Sequence, residues 1–160
     1  MRKLVCFVTC GLLLAVSPVA LQAQGKASST DMQILRDKIK ADKKLLVADN
    51  LQLTDKEAKG FWPIYDAYQK DLQKINEHLG KTIEQYAEGY NKDSLTDADA
   101  KKLISEAIGV EESEVKLHRT YLGKLEKVLP GKKVARYLQI ETKIRALIRF
   151  ELAAQIPLVE

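Results

Sequence analysis

Two histidines and the carboxylates near them are the residues whose types and spacing best suit chemistry. Glu114 and His118 stand four apart, on one face of any helix that holds both, and Glu111 lies one heptad before His118. His78 follows Glu77 on an earlier helical stretch that would run antiparallel to this one. Two imidazoles with one or two carboxylates form a ligand set that zinc or a similar ion accepts. The same residues also fit a plainer arrangement. In it, His118 is a polar seam position bonded to Glu114 or Glu111, and His78 is solvated. Spacing leaves both open, because ligands on separate helices are not constrained by sequence.

Other chemistries find less material. Nucleophilic catalysis needs a nucleophile, a base and a group that orients the base. His78 and His118 are the only neutral-pH bases, and no serine sits in a nucleophile-elbow context. Glycines occur singly, so no phosphate-cradling loop is present. These absences point to a binding protein rather than an enzyme, with no catalytic residue to assign. Nucleic acid is an unsuitable partner, since basic and aromatic residues are not interleaved.

The most informative charge pattern lies near the end of the chain. On a helical wheel, Lys132, Arg136 and Lys143 follow one edge of an apolar sector, and Arg145 and Arg149 lie near the other. Glu141 projects into the apolar side, where Arg145 four residues on is a suitable partner. An apolar strip bordered by cations suits an amphipathic client, an acidic protein surface or anionic lipid at a membrane surface. It equally suits an ordinary core-facing helix whose basic side chains snorkel.

Helices must position all of these residues. Gly and Pro are sparse, and the runs between them are rich in Ala, Leu, Lys and Glu. Thr30 and Asp31 open a first helix to about Ala48, with Met32, Leu35, Ile39 and Leu46 near one face. Leu53-Thr54-Asp55-Lys56-Glu57 opens a second, Thr54 and Glu57 forming a capping box. Ala58, Phe61, Tyr65, Tyr68, Leu72, Ile75 and Leu79 then recur at alternating steps of three and four, a heptad seam. Pro63 inside that pattern predicts a kink, with Gly60 absorbing the bend. A helix continuing to about Glu88 is ~50 Å long, which favours an elongated hairpin or a homodimer. Thr96 to Asp99 caps a third helix, with a seam of Ile104, Ile108, Glu111, Val115, His118, Leu122, Leu125 and Leu129. A fourth starts near Lys132, with Val134, Tyr137, Ile140, Ile144, Leu147, Ile148 and Leu152 as its apolar set. Trp62 points off the second helix's seam, toward the first helix or toward solvent. The expected fold is an all-α, elongated four-helix domain over residues 30–160.

The N-terminus predicts the compartment. Arg2 and Lys3 precede a nearly unbroken apolar run from Leu4 to Ala20, and Leu21-Gln22-Ala23 offers a cleavage point. Residues 1–23 thus read as a secretory signal peptide, the run being short of the ~20 residues a spanning helix needs. Residues 24–29 read as a flexible leader. Both cysteines, Cys6 and Cys10, fall inside the signal, so the exported chain has no disulfide to rely on. Loss of Arg2 and Lys3 lowers the formal charge from +4 to +2, so any basic character that matters is local.

The order of these elements resembles the Spy/CpxP group of exported bacterial helical proteins, named for repeated Leu-Thr-x-x-Gln motifs. The likeness rests on Leu53-Thr54-Asp55-Lys56-Glu57, with glutamate in place of the final glutamine, and on Leu129-Pro130-Gly131-Lys132-Lys133. The resemblance implies an antiparallel, cradle-shaped dimer acting without ATP as a periplasmic chaperone or regulator of envelope stress. Its partners would be unfolded or amphipathic envelope proteins. The residue reading keeps two alternatives beside it, a zinc-responsive periplasmic binding protein without a built-in cofactor and a structural partner of a membrane complex.

Overall fold

Two short stretches start the long helices, and both do so by the same chemistry. The Thr54 hydroxyl accepts from the Glu57 amide at 3.4 Å, while the Glu57 carboxylate accepts from the Thr54 amide at 2.8 Å. Thr96 and Asp99 repeat the exchange, both hydrogen bonds being 3.2 Å. Amides that have no partner inside a first helical turn are thereby satisfied. The computed structural model describes residues 41–159. The expected signal peptide, leader and opening of the first helix, with Met32, Leu35 and Ile39, lie outside the described residues.

Four helices and no strand occur among the described residues. The described part of the first helix, α1, covers residues 41–51. It is followed by α2 (Asp55–Asn91), α3 (Asp97–Leu125) and α4 (Gly131–Gln155). The fold is all-α, as the periodicity predicts. At 37 residues, α2 is about 55 Å long. It continues through Pro63 without ending. Gly60 has a further role there, since a Cβ at that position would lie 3.0 Å from Val128. Gly89 likewise lets Leu95 close the far turn, where an added Cβ would meet it at 2.8 Å.

Cross-helix partners define the directions. Gly89 meets Leu95, His78 meets Glu106, Tyr68 meets Tyr121 and Gly60 meets Val128, so α2 and α3 are antiparallel. Along α4, Tyr137 meets Phe61, Glu141 meets Gln69 and Arg145 meets Asn76, so α4 runs parallel to α2. The α2 seam is used inside the chain: Phe61, Tyr65 and Tyr68 are buried, and Leu72, Ile75 and Leu79 are half-buried.

The core gathers around an aromatic cluster. Tyr137 lies edge-on to Phe61 at 5.1 Å and to Tyr68 at 5.8 Å, and Tyr68 lies edge-on to Tyr121 at 5.2 Å. Such ring pairs add about 0.5–1.5 kcal/mol beyond the area they bury. Val47 and Leu51 of α1 complete the cluster with Leu125, Leu129 and Val134. Trp62 takes the first of its two expected positions, half-buried toward α1 with the Lys44 ammonium 5.1 Å from its ring.

Two expectations are corrected. On α1, Leu46 is exposed and its neighbour Val47 is buried. On α3, the inward residues are Leu103, Val110, Glu114, Leu117, Tyr121 and Leu125. Ile104, Ile108, Val115 and Leu122 are exposed. The sequence has two apolar stripes about 100° apart on this helix, and the expected seam follows the outer one from Ile104 to Leu122, reaching the core only at Leu125 and Leu129. The inner stripe places Tyr121 and Leu117 in the aromatic cluster, which the outer stripe cannot reach.

Lys133 ties the start of α4 to the start of α2. Its ammonium lies 2.6 Å from Glu57 and 2.9 Å from the Gln52 carbonyl. Gln52 needs that support, since its φ of 45° is left-handed. The Lys133 contact and then the Thr54 amide hold the Glu57 carboxyl below its usual 4.5. A carboxylate lowered on folding stabilises above its unfolded pKa, and that contribution is lost as pH falls through the folded value. Glu57→Gln should therefore lower the melting temperature at about pH 7 but scarcely at about pH 3, as thermal circular dichroism would reveal. An equal loss at both pH values would refute the linkage.

Candidate functional site

The second half of α4 is positioned by charge. Glu114 projects from α3 into the interface and is 9% exposed. Arg145 forms an ion pair with it and also donates to the Asn76 side-chain carbonyl of α2. One turn later, Arg149 spans Glu114 at 2.8 Å and Glu111 at 3.1 Å. Burial, followed by repulsion from Arg149, lowers the Arg145 pKa. Glu141, expected to pair with Arg145, instead lies 2.7 Å from Lys43 of α1 and 2.8 Å from the Gln69 amide of α2. It is 3% exposed and therefore needs both partners.

These contacts change the reading of the basic rim. Arg145 and Arg149 face Glu114 and Glu111 inside the chain, instead of forming a free edge for clients. Arg136 donates to the Asn50 carbonyl at 3.2 Å, closing the end of α1. Lys132 and Lys143 remain exposed. The cap residues stand where the sequence places them, and Leu53 is half-buried against the core beside Thr54.

The expected metal ligands are not brought together. His78 Nε2 lies 2.6 Å from Glu106, a residue the spacing argument did not single out. His118 stacks parallel to Tyr68 with ring centres 6.2 Å apart. Glu111 and Glu114 are engaged by the two arginines. Among the described residues, no three His, Cys, Asp or Glu side chains are grouped to hold an ion. The Tyr121 hydroxyl donates to Asp71 at 2.7 Å; burial and then that carboxylate push the phenol up to about 12.

Beyond the arginines, α2, α3 and α4 border an apolar groove of about 420 Å³. Leu79, Ile83, Leu103, Val110 and Leu152 line it, with Tyr86 at the side and Arg149 and Glu111 at one margin. Its polar groups have partners within the chain. Thr82 donates to the His78 carbonyl at 3.1 Å, and Tyr86 donates to the Pro157 carbonyl at 2.9 Å. The cavity can therefore hold an apolar group but has no free charge within it. Sequence reasoning missed it because its α3 wall is built mainly from the inner stripe, Leu103 and Val110 with Ala100 and Ala107. Leu79 at the end of the α2 seam, Ile104 on α3 and Leu152 on α4 were the lining residues that the apolar periodicity did single out.

On the outer side of α4, Leu147 and Phe150 are 63% and 70% exposed. No helix among the described residues is long and apolar enough to cross a membrane. Comparison with protein-family models, curated proteins and solved structures finds no match.

Burial separates the weights of the two acidic partners. Glu114→Ala leaves the guanidinium of Arg145 buried without its counter-charge and should reduce unfolding free energy by about 3–5 kcal/mol. Glu111→Ala removes an exposed pair and should cost less than about 1 kcal/mol. Urea titration of both variants checks the order; equal losses would mean that Glu114 does not carry the α3–α4 contact.

Proposed function

We propose that this chain is an exported, ATP-independent helical binding protein that holds unfolded or amphipathic envelope proteins, as a periplasmic chaperone or envelope-stress accessory. The observation that carries the reading is the apolar groove between α2, α3 and α4, with Leu147 and Phe150 exposed elsewhere on α4. An apolar surface of this kind contributes contact energy without demanding one chemical partner. The signal-like residues 1–23 support the compartment, and the resemblance to the Spy/CpxP group supports the activity. Lys132 and Lys143 are exposed cations on the same helix. Charges so placed raise encounter rates with acidic clients more than they raise affinity.

A homodimer belongs to the same reading, but on a different face. The α2 seam is covered by the chain's own helices, whereas Ile104, Ile108, Val115 and Leu122 keep heptad spacing on the exposed side of α3. A second copy packed along that stripe would remove four large apolar side chains from water. Light scattering at micromolar concentration is expected to give twice the chain mass, and Ile108→Glu with Val115→Glu to give a monomer. A wild-type monomer would remove the dimer from the proposal.

The binding reading is tested by aggregation. Near stoichiometric ratio and without nucleotide, the protein should slow the aggregation of an unfolded test protein. Leu147→Ser with Phe150→Ser should weaken that protection several-fold while leaving the helical circular dichroism unchanged, since both side chains are exposed. Lack of protection by the wild type ends the chaperone reading. Full protection by the double variant removes these two residues from the client surface.

A further inference from the structure

One side of the groove is formed by the chain's own segment after α4, and the chemistry of that segment says what else would fit. Helix α4 stops at Gln155 because Pro157 has no amide hydrogen and disfavours helical backbone in the residue before it. Ile156 accordingly turns to extended geometry, φ −90° and ψ 114°. The chain then passes along the groove, with Ile156 and Val159 contributing to its lining. The Tyr86 hydroxyl donates to the Pro157 carbonyl at 2.9 Å across the cleft.

Little else holds this segment. Leu158 is 88% exposed and Val159 57% exposed. Among the described residues, the Tyr86 bond is the polar tie found for residues 157–159. A segment held by one neutral hydrogen bond and partial apolar burial is at the low-stability end of a fold. Thr82 is committed to the His78 carbonyl, and Arg149 to two carboxylates. Among the described residues that line the groove, the Tyr86 hydroxyl is the neutral donor that reaches a backbone carbonyl.

We infer that the groove takes an extended apolar peptide whose backbone carbonyl accepts from Tyr86, and that Ile156–Val159 is the resident segment which a client peptide displaces. This rests on the binding reading above and adds to it both the class of ligand and an internal competitor. Because the competitor is tethered, its effective concentration is high, and a client in solution must outcompete it. The intact chain is thus a weaker binder than its groove alone.

The test uses a fluorescent peptide with the sequence of residues 155–159, titrated by anisotropy into three proteins. They are the intact chain, a chain ending at Gln155, and the full-length double variant Ile156→Ser with Val159→Ser. The shortened chain and the double variant should each bind at least about fivefold more tightly than the intact chain, the scale of one net hydrogen bond. Adding Tyr86→Phe to the double variant should return about that factor. The double variant keeps the full length, so it decides the matter if the shortened chain fails to fold. Equal affinity of the intact chain and the double variant overturns the competitor. Indifference of the double variant to Tyr86→Phe overturns the assigned address. The aggregation assay separates this from the parent reading. If the intact chain protects a client but the peptide does not bind the double variant, the peptide groove fails and the chaperone stands. If the peptide binds as expected and no client is protected, the groove stands and the chaperone fails.

Discussion

Two carboxylates buried between helices constrain the rest of the molecule. An ionised carboxylate in a protein interior is tolerated only with a counter-charge and hydrogen-bond donors around it. Glu141 meets that need with Lys43 from α1 and Gln69 from α2, and Glu114 meets it with Arg145 and Arg149 from α4. Each set joins helices that are distant in sequence. A one-residue change in the register of α4 would strand both carboxylates together. Apolar packing alone tolerates small slips more readily, so these pairs specify the arrangement that the hydrophobic contacts stabilise.

The two ends of the bundle differ for a reason visible in residue size. Where α1 covers α2 and α4, Phe61, Tyr65, Tyr68, Tyr121 and Tyr137 fill the interior with large rings. The Tyr137 hydroxyl is pushed well above the usual phenol range by burial and then by Glu141. It stays a neutral donor or acceptor beside Gln69, 3.4 Å away. Toward the Gly89 turn the facing residues are Thr82, Ala100, Ala107 and Ala153, with aliphatic side chains between them. Small residues on three helices leave space that rings would have filled. Arg145 and Arg149 stand between the ring-filled end and the groove.

This arrangement also accounts for why the charge pattern of α4 was ambiguous. A helix bordered by arginines has the same wheel whether those arginines greet a client or a carboxylate on a neighbouring helix. Here Arg145 and Arg149 do the second and leave Lys132 and Lys143 facing outward. Of the apolar set read on α4, Val134 and Tyr137 are buried in the core and Leu147 and Ile148 are exposed; the contact energy of the proposed client surface comes from Leu147, Phe150 and the groove rather than from a cationic rim.

The sequence by itself determined that the described chain is helical and where α2 and α3 start. The reciprocal caps at Thr54 and Thr96 are local, satisfied within four residues, so no distant partner was needed to read them. The α2 seam was legible because its apolar residues lie on one stripe with no rival. On α3 there were two stripes, and periodicity measures spacing without saying which stripe faces inward. The tertiary structure decided that, through Tyr121 and Leu117 in the aromatic cluster and Glu114 between two arginines. It also decided that Glu141 pairs with Lys43 rather than with its own helix neighbour Arg145, and that His78 meets Glu106. The physical reason is common to all three. Helical hydrogen bonds and caps are short-range and encoded within a few residues, whereas the partner of a buried charge depends on which helix arrives opposite it.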